Sequence, residues 1–438
     1  MMFIVLTNQL KQVKFLEKMQ RDQFNFFWDE VNPLTGQNKD RATVDGSVDN
    51  HPQSSIAATG FGLAACVIGA ERGFKSKQEI EARVVTTLSF IKNNMTNMHG
   101  FYYHFVDMNT GEQVWNCEIS SIDTALLMVG VLTARSYFST NQQIQALATD
   151  LYDAVDWPWM LNNRNVFSMG FQNGKFLDAR WDEYSELMMI ILLALGSKTH
   201  PVPLSTWEAF ARPIYTYGNE TFVFANAPLF THQFSHAFFD FKNKIDLFKV
   251  NYFDNSVKAT RAHKQFCLSL NYSTYNQDTW GITASDYIGG YTAWGGPPAR
   301  GPIDGSLVPC ACGGSLPFFE ECADVLYNIY QKYPKSYQKY GFVDAFNPIS
   351  EWYGTCSLGI DLGITLVQTE NYLSGLINNE FMKNAEIQNA MELAGFVKQK
   401  NENKWMMPVF VSLTVVISLA AVVLTFKFAG TKGYKKVQ

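Results

Sequence analysis

Apolar residues recur at helical spacing along most of this chain, and they do so in two styles. The stretches 56–68, 122–133 and 187–195 are apolar on nearly every face, whereas 77–93 carries Glu, Arg and Lys along one side. A helix apolar all round must be buried on most sides, and an amphipathic one needs only one dry face. The pattern predicts helices over 15–28, 54–72, 77–93, 119–138, 142–155, 183–195, 252–268, 318–333 and 362–379. Ser76 is placed to cap the third of these, and Gly73 to end the second. Strand signals are few: 100–106 with Thr110-Gly111 behind it, and 167–171 near Asn173-Gly174. Wet and buried helices in alternation suit an all-α fold, a toroid of helical hairpins with an inner ring inside an outer one, though the spacing does not fix the number of pairs. No Pro-, Ser- or Gly-rich break interrupts 8–400, which reads as one domain.

A different pattern closes the chain. Residues 408–426 form an uncharged run of 19, long enough to span a bilayer at ~1.5 Å per residue. Trp405 precedes it, and a short basic tail, 427–438, follows. The expectation is a single-pass membrane protein whose partner is the membrane itself through this C-terminal helix. Sequons at Asn94, Asn219 and Asn271 favour an extracellular or lumenal domain, while the trailing lysines leave the orientation open.

Composition adds two exclusions. Net charge is −5, and no basic face stands out, which argues against a nucleic-acid partner. The seven cysteines form no CxxC pair, so they read mainly as small apolar residues. Aromatics reach 15%, a surplus suited to a deep core or to a groove that stacks flat ligands.

Candidate chemistry gathers where loops enter the buried helices. Trp115 and Glu118 precede Asp123; Trp181 and Asp182 precede Glu183, Tyr184 and Glu186; Trp352 precedes Asp361. Inner helices of a toroid run parallel, so these acids are expected to converge on one rim. Acids at a helix start also serve as caps and balance the macrodipole, and Asp182 and Glu183 suit that role. Aromatic platforms beside paired carboxylates are what glycoside cleavage needs: one acid to protonate the leaving oxygen and one base to activate water. Partial desolvation by Trp181 and Tyr184 would raise the pKa of Glu186, as a general acid requires.

Other motifs carry less. His232 and His236 stand four apart, but Gln233 occupies the place of the metalloprotease glutamate, so no metal is expected and hydrogen bonding to a polar ligand is the better use. The run Gly289 to Pro298, with Trp294, reads as an aromatic loop over the cleft. No nucleotide or dinucleotide fingerprint occurs, and no cofactor is expected.

The blocks Asp40-Arg41, SSIAATGFGLAA, EISSIDTALLMVG, WDEYSELMMIILLALGS, PLFTHQFSHAFFDF, WGITASD, DGSLVP, GFVDAFNP and LGIDLG occur in an order that resembles the glucoamylase-like family. That family includes β-1,2-glucanases and the C-terminal domain of cyclic β-1,2-glucan synthases. The likeness runs over roughly 15–396. It implies an (α/α)6 toroid that acts on β-1,2-linked glucan or oligosaccharide without metal or cofactor. It also implies Glu186 as general acid and Asp361 as base, with Asp344 the second choice. Glu118 and Asp123 fall in a further acidic block of the family, as sugar-binding or supporting groups. Trp181, Tyr184, His232, His236, Asp286, Trp294 and Trp352 complete the expected substrate-binding set. Transglycosylation, or glucan binding without catalysis in a membrane protein, would use the same blocks. Cys310-Ala-Cys312 departs from the family pattern.

Overall fold

The computed structural model describes residues 2–49, 52–226 and 228–399. Along the chain its helices are α1 (Met2–Asp29), α2 (Ile56–Glu71), α3 (Lys77–Asn94), α4 (Ser121–Tyr137), α5 (Gln142–Asp153), α6 (Trp157–Leu161), α7 (Met188–Gly196) and α8 (Ser205–Ala209). They continue as α9 (Phe234–Phe238), α10 (Tyr252–Ser269), α11 (Pro309–Gly313), α12 (Glu321–Lys332), α13 (Gly359–Leu373), α14 (Leu376–Phe381) and α15 (Ala385–Leu393).

The helices apolar on every face are the buried ones. All nine residues of α7 are shielded, as are fourteen of the sixteen in α2. Each packs on another of its kind: α2 on α4 and α13, α4 on α7, α7 on α9, and α13 on α9 and α11. The wetter helices α1, α3, α5 and α12 lie against these, and α5 hides only Ile144, Ala148, Leu151 and Tyr152. Burial of one apolar stripe per outer helix and of every face per inner helix is what the two hydropathy patterns demand.

The predicted caps form. Ser76 accepts from the Glu79 N–H while the Glu79 carboxylate accepts from the Ser76 N–H, a reciprocal capping box. Gly73, at φ 65°, follows the end of α2 in the left-handed region that glycine enters freely. The long helix predicted at 362–379 is instead two, α13 and α14, because Gly375 at φ 75° turns the chain between them.

Strands are more numerous than the pattern suggested, though among the described residues none exceeds four residues. Most lie in the loops that enter the buried helices. Arg41–Thr43 pairs antiparallel with Cys356–Leu358, Gln53–Ser55 with Phe105–Asp107, and Ile119–Ser120 with Gly170–Gln172. Runs this short carry no usable alternation of polar and apolar residues.

Helices α2 and α4 approach backbone to backbone. A Cβ on Gly130 would lie 2.1 Å from the Gly60 carbonyl oxygen, and one on Gly60 2.2 Å from that of Leu126. Alanine favours a helix over glycine by about 1 kcal/mol. Overpacking costs about 1–3 kcal/mol, at the upper end where the obstacle is backbone. Gly130→Ala is therefore expected to lower stability by about 2 kcal/mol; a thermal melt that is unchanged or raised would contradict the close crossing.

All seven cysteines are free, and all but Cys356 are buried, in keeping with a packing role. No helix among the described residues is long and apolar enough to cross a membrane. The expected span at 408–426 and the tail at 427–438 lie outside the described residues.

Candidate active site

The loops that enter the buried helices enclose a cavity of about 530 Å³. Its wall includes Asp40, Arg41, His104, Phe105, Trp115, Asp123, Glu186 and Tyr291. Three of these eight, Asp40, Asp123 and Glu186, are carboxylates.

Glu186 sits in the turn before α7, which begins at Met188 and not at residue 183 as expected. The reason is local. Glu183 bridges Ala211, the Tyr184 N–H donates to the Ala211 carbonyl at 2.9 Å, and the Ala211 N–H donates to the Asp182 carbonyl at 2.7 Å. This extended pairing postpones the helix. Asp182 and Glu183 are exposed and provide no cap; the Ser185 hydroxyl accepts from the Leu187 N–H instead. The Glu186 carbonyl accepts from Ser235 Oγ at 3.0 Å and from the Met189 N–H at 3.1 Å, which fixes its backbone. The side chain is 7% exposed, and its Oε2 has no protein partner. Burial, reinforced by the negative charge of Asp123, lifts this carboxyl to about 7.

Asp123 opens α4. Ser120 caps that helix by accepting from the Asp123 N–H at 3.2 Å, and its hydroxyl donates to Asp123 Oδ2 at 2.5 Å. The other carboxylate oxygen lies 3.5 Å from His104 Nε2, while His104 Nδ1 is 3.0 Å from Glu118 Oε1. Glu118 is thus held through His104. Burial alone would lower the imidazole, but Asp123 and Glu118 outweigh it and hold it at about 9. Among the described residues these three are the one group of ligand-type side chains close enough to share an ion. Both ring nitrogens face carboxylates, which makes the set an ion pair about a protonated histidine.

A second acidic group lies beside the cavity. Pairing of Arg41 with Leu358 brings Asp40-Arg41 against the start of α13. Arg41 Nε donates to Asp40 at 3.0 Å, and its Nη1 to both oxygens of Asp286 at 3.3 Å. The Asp286 N–H donates to Asp344 Oδ2 at 2.6 Å. Asp344 and Asp361 hydrogen-bond to one another, so the pair holds a proton, and burial plus mutual repulsion raises Asp344 well above the usual carboxylate range. Cys310 hydrogen-bonds to Asp361, which gives the unusual cysteine a place beside the acids. Asp361 Oδ2 and Asp344 Oδ1 have no protein donor, and they border a void of about 20 Å³, the size of one water. Leu358 forms part of both walls.

The remaining expected residues fall elsewhere. Trp181 donates from Nε1 to Ser121 Oγ at 2.9 Å and packs on the core. Tyr184 is buried, stacks on Tyr252 and shares a hydrogen bond with His232 Nδ1. His232 and His236 are buried, and burial depresses both to about 3. His236 borders a separate pocket near Asn371 and Asn378. Trp294 is fully buried and anchors its loop by donating to Ser285 Oγ. Trp352 packs on the core from the hairpin it forms with Asn347. None of these six is among the cavity's lining residues.

The lining residues that the site reading passed over are Asp40, Arg41, His104, Trp115 and Tyr291. Asp40-Arg41 opens the family-like blocks, Trp115 opens an acid-bearing loop, and Tyr291 belongs to the aromatic loop. His104 has no such signal. Trp115 and its neighbour Asn116 both adopt left-handed backbone, at φ 56° and 49°. Gln172 Nε2 donates to the Asn116 carbonyl, and the Trp115 ring meets Phe105 edge-on at 5.1 Å.

Comparison with known proteins finds relatives in sequence and in fold. The family described as "Putative glucoamylase" matches residues 178–385. The chain is thus similar to glucoamylase-like proteins. It is 27% identical to an exo β-1,2-glucooligosaccharide sophorohydrolase of Parabacteroides distasonis, over 90% of this chain and 59% of that protein. It thus spans about three-fifths of that curated relative. A solved endo-β-1,2-glucanase from Chitinophaga pinensis, in complex with sophorotriose and glucose, is 27% identical with a TM-score of 0.80. That match covers 88% of this chain and 98% of the other. A solved protein from Bacteroides caccae, described as a putative glucoamylase, is 26% identical with a TM-score of 0.81, over 88% of this chain and all of the other. The fold is therefore the helix-rich, glucoamylase-like one.

The single-pass membrane localisation is corrected here. These likenesses belong to the helical body, and no helix among the described residues is long and apolar enough to cross a membrane. An uncharged run of 19 residues meets the length requirement for a span but does not by itself establish one.

Proposed function

We propose that the chain is a glycoside hydrolase that cleaves β-1,2-linked glucan on an (α/α)6 toroid, with the domain of 8–400 carrying the whole site. The observation that carries this reading is Glu186: a buried carboxyl, protonated up to about pH 7, with a free oxygen on a cavity of about 530 Å³. The cavity belongs to a chain similar to a β-1,2-glucanase and a sophorohydrolase. Glu186 would give its proton to the leaving glycosidic oxygen. Asp361, in the proton-sharing pair with Asp344, would accept a proton from the attacking water, directly or through a substrate hydroxyl. The 20 Å³ void at their free oxygens suits one such water. Asp40, Arg41 and Asp123 offer hydrogen bonds to sugar hydroxyls, and Trp115 and Tyr291 offer apolar faces to the rings.

The test is purified protein incubated with β-1,2-, β-1,3-, β-1,4- and α-1,4-glucans. Reducing sugar is expected from the β-1,2 polymer alone. Release from the α-1,4 polymer, lengthened products, or no product between pH 4 and 8 would each overturn the reading. A time course of product sizes separates internal cleavage from release of disaccharide at an end.

A further inference from the structure

The acids of the cavity are accompanied by a histidine whose two ring nitrogens are both committed. His104 Nδ1 meets Glu118 Oε1 at 3.0 Å and Nε2 meets Asp123 Oδ1 at 3.5 Å. Carboxylates only accept, and a neutral imidazole donates from one nitrogen while the other bears a lone pair. Hydrogen-bonded to Glu118 through Nδ1 and facing the Asp123 carboxylate with Nε2, the ring is best matched by its doubly protonated, cationic form. The main chain holds it there: the His104 N–H donates to the Glu118 carbonyl at 3.0 Å, and the His104 carbonyl accepts from the Ile56 N–H at 3.3 Å. The ring lies flat on Phe105, with centroids 3.9 Å apart, and Phe105 in turn carries Trp115. All three side chains line the cavity, together with Asp123 and Glu186.

We infer that His104 is a positively charged positioning residue, which clamps Glu118 and Asp123 and sets the charge that Glu186 experiences. This inference rests on the hydrolase reading and extends it to a group that no family block marks. The charges about His104 are Glu118 and Asp123 in contact and Asp40 further off, and the Cys117 thiol adjoins Glu118 and Asp123. Arg41 is engaged with Asp40 and Asp286 and does not replace it. With the cation in place, Asp123 is a carboxylate of fixed orientation, and its field on Glu186 is partly cancelled. Without it, Asp123 rotates more freely and its full charge falls on Glu186.

Two measurements decide the matter. In ¹⁵N-detected NMR of the wild-type protein, the His104 ring is expected to stay doubly protonated through pH 8. A neutral ring at pH 7 would overturn the inference, as would ring signals that move when Zn²⁺ or Ca²⁺ is added alone, because the ring would then serve an ion. In kinetics on β-1,2-glucan, His104→Gln is expected to raise KM and lower kcat/KM at least tenfold. It should also displace the alkaline limb to higher pH, since the unopposed Asp123 charge holds the Glu186 proton more tightly. A simple packing role would lower activity without moving that limb, and an unmoved limb with unchanged KM refutes the clamp. If the wild-type chain cleaves no glucan, the hydrolase reading fails while the NMR titration still answers for His104.

Discussion

Glu186→Gln is expected to lower kcat on β-1,2-glucan by about 10²–10⁴-fold, the usual contribution of a positioned general acid. Glutamine keeps the shape of the side chain and removes only the proton. KM should change little, because the loss falls on the transition state. The same variant makes a statement about stability. In the folded protein the Glu186 carboxyl is raised to about 7, so the folded state holds this proton after the unfolded chain has lost it. Wild-type stability therefore falls as pH climbs from the ordinary glutamate range to about 7, by at most about 3 kcal/mol, and levels off above. Glutamine has no such dependence. Its melting temperature relative to wild type should improve between pH 5 and pH 8. Retained activity would remove Glu186 from the mechanism; a pH-independent difference in melting would show that its carboxyl is not held protonated.

Asp361→Asn should cause a comparable loss of kcat, with a different pH signature. Asp361 and Asp344 share a proton in a buried pocket, and the pair must be singly ionised to accept a proton from water. Activity should thus rise with pH through the titration of the pair, above the usual carboxylate range, and decline as Glu186 ionises near 7. Asparagine at 361 removes the acidic limb from the residual rate and leaves the alkaline one. Asp344→Asn, which replaces the acid proton that Asp344 donates to the Asp361 carboxylate by a weaker amide donor, is the useful companion: it should shift the acidic limb to higher pH. A wild-type profile flat from pH 4 to 7 would separate the pair from the chemistry.

The parts of the molecule legible in the sequence are those set by local forces. The buried helices declare themselves by apolar faces on every side, and Ser76 and Gly73 mark ends because capping depends on neighbours a few residues away. Glu186 and Asp123 were likewise visible, since each stands where a loop meets a buried helix. What was not legible depends on pairing between distant strands of two or three residues. Arg41 reaches the site only because it lies opposite Leu358, and His104 because its N–H bonds the Glu118 carbonyl from the bend between two short strands. The aromatic loop shows the same limit. Tyr291 and Trp294 are three residues apart, yet one faces the cavity and the other is buried on Ser285. Sequence lists the aromatics without saying which way each one faces.

The rim at Trp115 bears on the thermodynamics of recognition. Two successive non-glycine residues in left-handed backbone are held by Gln172 and by Phe105, with a cost of about 1–2 kcal/mol per residue already met in the folded chain. The indole is consequently preorganised. Under the proposed function, a sugar ring would meet a loop whose backbone is already arranged, the entropy of arranging it having been spent during folding, before any encounter.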